Sequence, residues 1–379
     1  MKGDILAALR FVRPLLASFG GDKEKVTLFG QSSGGTNILA LLASSKSKGL
    51  FRGAISLSGS PNITASVEQT SDLHGRYLIP TTGCVNKNVT ELKSCLLKQS
   101  AYNLTYSMQP ICGAPPTVNP TNLPFSPSGN AYIGLTIVDG YIVEKPVLQA
   151  VSEPIVDVSL IVQNVQCEQD PSKWEVDQYT NTTAYQQFLK EHFSSHVSHF
   201  FLFLLLIPLN CLRKGWNNAE YLSKALVDLY SSDLQNSIEL GFETFLAEIG
   251  VTCGNDRIAE RASKSFKFPV YRSLLEAPPS HPFPQGDSQY SKYAFHSWDY
   301  PTTSMGVYGS FQPQPSDMLL GQQFIKMWRE FLHEGKLSGK WESGTCHMIV
   351  AEGEVSSCPP SKCDALSKLG FGQAFDWVN

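Results

Sequence analysis

The chain has 379 residues, a length that fits one large domain or two modest ones. Hydrophobic residues make up 42% of it and charged residues 17%, which excludes disordered, collagen-like and fibrous chains. A net charge of -4 provides no basic excess for binding nucleic acid, so no nucleic-acid partner is expected.

At the N-terminus, Asp4 is placed to cap a first helix in which Ile5, Ala8, Leu9, Val12 and Leu16 share a face, with a kink at Pro14. In this opening stretch the charges are spread too evenly for a secretory signal peptide, and no small-residue cleavage site follows an apolar run. Gly20, Gly21 and Asp22 then turn the chain into Val26–Phe29, a short run without polar alternation, as a strand buried on both faces requires. Helical spacing resumes over Thr36–Ala43.

Ala54–Leu57, Val158–Val162 and Val270–Leu275 are expected strands, and Ala219–Tyr230, Asn236–Ile249 and Asp317–His333 expected helices. This alternation predicts an α/β layer architecture. Residues 112–125 are rich in Pro and Asn and are expected to form surface loop. The longest apolar run, Phe200–Leu209, contains Pro208 and is about half of the roughly 20 residues a membrane helix needs, so no membrane span is expected. It interrupts amphipathic helical sequence, and residues 200–211 are expected to be an insertion within a helical region from about Asn181 to Ile249. No repeat or low-complexity linker divides the chain, which predicts one domain over residues 1–379.

The junction of the first strand with the next helix reads Gly30-Gln31-Ser32-Ser33-Gly34-Gly35. This is a G-x-S-x-G nucleophile elbow: Gly30 and Gly34 are expected at positions where a Cβ would obstruct the turn, leaving Ser32 strained and exposed at a helix N-terminus. The backbone N–H of Ser33 would then face a developing oxyanion. Such a serine needs a base, and the base an orienting acid, in the order Ser, acid, His.

Nine cysteines, together with Asn-x-Ser/Thr sequons at Asn62, Asn88, Asn103 and Asn181, favour an oxidising, secretory environment and a glycoprotein.

The text FGGDKEKVTLFGQSSGG, followed by FRGAISLSGSPN, resembles the type-B carboxylesterases, the cholinesterase-like branch of the α/β-hydrolases. The resemblance continues in order through Val138-Asp139-Gly140, the strand ending near Glu168, the Val270-Tyr271 strand, His296-Ser297-Trp298-Asp299 and a helix carrying Trp328 and Phe331. It implies an α/β-hydrolase fold with a mixed, mostly parallel sheet flanked by helices. It also implies a serine esterase that acts on small-molecule carboxylic esters without a cofactor.

In that family the acid stands at a Glu corresponding to Glu168, although the local text LIVQNVQCEQD carries Gln163 where Gly is usual, and Asp170 is a second candidate. Among eight histidines, His296 in YAFHSWD matches the family's His-Gly-x-Glu/Asp segment, with Ser297 where Gly is common. His281, in the Pro-rich PPSHPFP, reads as a surface residue. His192, His196 and His199 would share a helix face, but only Glu191 offers a carboxylate nearby, and no metal site is expected.

Ser58 resembles a buried family serine that hydrogen-bonds near the triad and steadies the acid. Cys84 and Cys95 match a family disulfide loop. Cys253 resembles the first half of a long-range bridge, with Cys363 as partner and Cys358 or Cys346 as alternatives, while Cys112, Cys167 and Cys211 have no assigned role.

Family members carry a long segment ahead of the elbow, including the first strands and an HGGG-type loop that supplies further oxyanion donors. The sequence as it stands is expected to lack these, and with them measurable activity of its own. Two functions remain open: a serine carboxylesterase using Ser32, Glu168 and His296, and a non-catalytic cholinesterase-like domain serving adhesion or binding. The oligomeric state is not legible.

Overall fold

A computed structural model describes residues 2–76, 78–85, 87–107, 136–170, 178–194, 216, 218–285, 289–300 and 310–376. The expected loop at 112–125, the insertion at 200–211, and Cys112, Cys211, His196 and His199 lie outside the described residues.

The first helix, α1, spans Lys2–Val12, so Asp4 sits inside its first turn and is not its cap. There its carboxylate faces the positive end of the helix. The chain tightens to a 3-10 helix over Arg13–Phe19, with Pro14 near its start, and ends at Gly20 with φ 76°. Proline's missing N–H is tolerated in such a first turn.

The central sheet consists of β1 (Thr27–Gln31), β2 (Gly53–Leu57), β3 (Ser159–Val165), β4 (Val270–Leu275), β5 (Cys346–Ile349) and β6 (Val355–Ser357), in that spatial order. The first five run parallel and β6 pairs antiparallel with β5. Every residue of β2 and β3 is buried, which is why their sequences show no polar alternation. The sequence pattern does not anticipate β5 and β6.

Helices cover both faces. Ala54, Leu160, Val162 and Val270 pack in one cluster with α2 (Ser33–Leu42) and with Ile258, Ala259 and Ala262 of α6 (Cys253–Ser265). The alternate residues Ile55, Leu57, Ile161, Val165, Tyr271 and Leu275 pack with Trp298 and with Leu320, Phe324 and Phe331 of α7 (Pro315–Glu334). Each large apolar side chain so buried contributes about 1.5–3 kcal/mol.

A third cluster joins α3 (Thr182–Ser194), α4 (Ala219–Leu229) and α5 (Ile238–Ala247) to Phe371 and Phe375. These helices fall within the helical region expected from about Asn181 to Ile249. Among the described residues β1 has no strand on its outer side, and Phe29 is 44% exposed while meeting Trp328 edge-on at 4.7 Å.

Among the described residues three disulfides tie the fold: Cys84–Cys95, Cys253–Cys363 and Cys346–Cys358. The bridge between Cys346 and Cys358 removes both as partners for Cys253, and Cys167 is a buried free thiol. No helix among the described residues is long and apolar enough to cross a membrane.

Candidate active site

The residues singled out in the sequence follow the C-terminal ends of the parallel strands, where open α/β sheets place their ligand crevices. Ser32 follows β1, Ser58 follows β2, Glu168 lies just beyond β3, and His296 comes after β4.

Ser32 occupies φ 57°, ψ -122° at the N-cap of α2, a conformation in which only a few per cent of non-glycine residues are found. It is held there from both sides. Its N–H donates to Leu57 O at 2.8 Å, and its carbonyl accepts from Thr36 N at 3.0 Å. Thr36 Oγ1 in turn accepts from Ser60 N at 2.9 Å, tying the helix start to the loop after β2. Ser33 opens α2, so its N–H has no acceptor within the helix.

The glycines divide differently from expectation. A Cβ on Gly30 would come within 2.5 Å of the Gly34 backbone, whereas a Cβ on Gly34 would meet nothing within 4 Å. Gly34 is therefore not the obstructed position. The tight approach belongs instead to Gly35 and Gly59, where a Cβ would come within 2.9 Å of Leu57 O and 2.5 Å of Ser56 Oγ respectively.

Glu168 is 2% exposed. Its Oε1 accepts from Val165 N at 3.0 Å, and its Oε2 meets His296 Nδ1 at 2.5 Å. The segment carrying His296 is docked onto the segment carrying Glu168 by a β-bridge between Cys167 and Phe295 and by Cys167 N–H to Ala294 O at 2.9 Å. Asp170 makes no hydrogen bond to His296 among the described residues and instead anchors the chain leading to it, with Oδ2 accepting from Lys292 N at 2.7 Å and Tyr293 N at 2.8 Å. Burial pushes its carboxyl up to about 6 against the pull of those two N–H groups.

Burial opposes protonation of the His296 ring, but the hydrogen bond and charge of Glu168, with the charge of Asp299, outweigh it and hold the imidazole above its ordinary range. Ser297 adopts φ 74°, which explains why glycine suits that position. Ser58 is fully buried and also has a positive φ, 48°. Its Oγ makes no hydrogen bond among the described residues, so it does not steady Glu168 through its side chain. It reaches β3 through its backbone, donating from N to Gln163 O at 2.7 Å.

Two features of the site escape a reading of sequence alone. Gln163 Nε2 donates to Asp299 Oδ2 at 2.9 Å while its Oε1 accepts from Ser273 Oγ at 3.0 Å, a buried chain close in sequence to His296. On the other side of the imidazole, Gln31 Nε2 lies 3.2 Å from His296 Nε2. The one available signal was Gln163, which stands where the family text usually carries Gly.

His281 is an exposed residue stacked on Phe311. His192 Nδ1 meets its own helix at Phe188 O, 2.9 Å away. Of the sequon asparagines, Asn88, Asn103 and Asn181 are exposed. Asn62 is half-buried, and the nitrogen a glycan would modify donates to Asp376 O at 2.8 Å.

The family model described as "Carboxylesterase family" matches residues 3–348. The chain belongs to the carboxylesterase family. This carboxylesterase-family chain is 37% identical over 112 residues to pyrethroid hydrolase Ces2a of Mus musculus, a stretch covering 28% of the chain and 20% of that relative. It is 33% identical over 124 residues to cocaine esterase of Homo sapiens, covering 33% of the chain and 22% of the relative. The matched stretch thus spans about a fifth of the length of these curated relatives. Among solved structures, a PNB esterase superposes with a TM-score of 0.63 at 20% identity, covering 97% of this chain and 68% of the other. The carboxylesterase-family chain thus has the α/β-hydrolase fold, with a mostly parallel sheet flanked by helices. Its disulfides, and its carboxylesterase relatives, are compatible with a secretory-pathway location.

Proposed function

We propose that the protein is a serine carboxylic ester hydrolase acting on small-molecule esters, with Ser32 as nucleophile, His296 as general base and Glu168 as the acid that orients it. The observation that carries this reading is the Glu168 carboxylate, buried and 2.5 Å from His296 Nδ1, beyond the C-terminal ends of the same parallel strands that the strained Ser32 follows.

In the proposed reaction the Ser32 hydroxyl gives its proton to His296 Nε2 as its Oγ bonds to the ester carbonyl carbon. The carbonyl oxygen takes the electron pair and faces the Ser33 N–H. Collapse breaks the carbon–oxygen bond of the leaving alcohol, which takes the proton from Nε2 and leaves an acyl-serine. Water then gives a proton to Nε2 as its oxygen bonds to the acyl carbon; the bond from that carbon to Oγ breaks, Oγ takes the proton back from Nε2, and the acid leaves with Ser32 restored. Glu168 fixes the Nδ1–H tautomer and stabilises the transient imidazolium. These steps call for no cofactor.

The same reading makes the protein a secreted glycoprotein carrying glycans at Asn88, Asn103 and Asn181, and takes residues 1–379 as one unit. The decisive experiment treats the folded protein with an organophosphonate ester. Ser32 should be the labelled residue and Ser32→Ala should abolish the label; labelling that survives the substitution rejects the assignment.

A further inference from the structure

We propose that Gln31 is a positioning residue that latches the base in the resting site: its side-chain amide caps His296 Nε2 and holds it off Ser32 until the amide is displaced. This inference rests on the reading of Ser32 and His296 as nucleophile and base.

The geometry around the imidazole sets up a competition. His296 Nδ1 is occupied by Glu168 Oε2 at 2.5 Å, so in the neutral ring the Nδ1–H tautomer is favoured and Nε2 presents its single in-plane lone pair. That lone pair is the atom that must take the serine proton. It lies 3.2 Å from Gln31 Nε2, which has N–H groups to donate, and among the described residues Ser32 Oγ makes no hydrogen bond to it. One lone pair accepts one good hydrogen bond, so the amide and the hydroxyl compete for the same place.

The competitor is not placed by chance. Gln31 is the last residue of β1, registered against Leu57 of β2, and the next N–H, that of Ser32, donates to Leu57 O at 2.8 Å. The latch and the nucleophile therefore come from adjacent residues of one anchored strand end. Alternation at the end of a strand would point neighbouring side chains apart; the positive φ of Ser32 breaks that alternation, so both residues can address one imidazole.

A carboxylate at position 31 would act in the opposite sense. It would have no proton to offer a neutral Nε2 and would instead favour a protonated ring. A carboxamide is neutral and can donate to Nε2 in the resting state, then turn about its last bond to present its oxygen to the imidazolium formed during reaction. The latch thus lowers the fraction of resting sites ready to react without weakening substrate binding, and an apparent rate scales with that fraction.

The test uses the whole chain and a p-nitrophenyl alkylphosphonate as probe, comparing wild type with Gln31→Met, which keeps length but has no donor, and with Gln31→Glu. A net hydrogen bond of ordinary strength implies that Gln31→Met reacts about fivefold faster at Ser32, with kcat raised and KM unchanged on a p-nitrophenyl ester. Gln31→Glu should move the acid limb of the pH–rate profile upward, a change that a merely structural role would not produce. It also keeps the test decisive if Gln31→Met fails to fold. Equal or slower labelling of a folded Gln31→Met, or an acid limb unmoved in Gln31→Glu, overturns the latch and leaves the esterase reading intact. Absence of label at Ser32 in every form fells the esterase reading and the latch with it.

Discussion

Gln163 Nε2 donates to Asp299 Oδ2 across 2.9 Å, so a side chain from the middle of the sheet grips a carboxylate three residues beyond the base. Burial pushes the Asp299 carboxyl up to about 6, while the Gln163 amide pulls against that rise. The charge on Asp299 is one of the influences that hold His296 above its ordinary range. Asp299→Asn removes that charge, so the base should lose its proton at lower pH and the acid limb of the pH–rate profile should move down. A limb that stays put would show that Glu168 alone sets the base.

Stability should depend on pH in a consistent direction. Burial raises Asp170, Glu248 and Asp299 to about 6 and Asp376 to about 7 in the folded chain, above ordinary values of 3.8 for Asp and 4.5 for Glu. Over that window the folded state binds more protons than the unfolded state, so stability falls as pH rises through it. His296 acts with the same sign: its contribution is complete below its unfolded value of 6.5 and is lost as pH climbs through its raised folded value. Thermal melts should therefore give a higher Tm at pH 5 than at pH 8, and the reverse order would contradict these burials.

The elbow glycines should respond unequally. Gly30→Ala forces a Cβ to within 2.5 Å of the Gly34 backbone and should cost about 1–3 kcal/mol in urea unfolding. Gly34→Ala places its Cβ in open space and should change stability by no more than about 0.5 kcal/mol. Equal costs would mean that the approach at Gly30 is looser than described.

The disulfides should likewise differ in weight. Cys84–Cys95 closes a sequence separation of 11 and Cys253–Cys363 one of 110. In the chain-entropy account these contribute roughly 2–3 and about 4–5 kcal/mol respectively, so removing the longer bridge by paired Ser substitution should lower the denaturation midpoint more. Peptide mapping without reduction should recover Cys84–Cys95, Cys253–Cys363 and Cys346–Cys358 as linked pairs, with Cys167 resistant to alkylation until the chain unfolds.

Much of the fold was written locally. Of the four strands anticipated from sequence, β2 and β3 are buried along their whole length, whereas β1, expected to be buried on both faces, leaves Phe29 44% exposed. The strand Cys346–Ile349 includes a buried His347 and half-exposed positions, so its text carries no continuous apolar run. The elbow was legible because its turn chemistry is contained in a few consecutive residues. The Gln31–His296 contact joins residues 265 apart, and the Gln163–Ser273 bond joins residues 110 apart. Neither residue type nor spacing announces such pairs. The partner of Cys253 stayed open for the same reason, since sequence counts cysteines but does not pair them.

The order in which the strands meet has a kinetic consequence. β1, α2 and β2 are consecutive in the chain, so the turn bearing Ser32 is built from near neighbours. By contrast, β3 registers Leu160 against Val270, and Glu168 meets a histidine 128 residues away, so both contacts must first close long stretches of chain. Loop closure has to be overcome before such contacts stabilise anything. During refolding the turn bearing Ser32 therefore takes shape before it meets His296, and on the proposed esterase reading reactivity toward phosphonates should emerge later than the bulk of the helical signal.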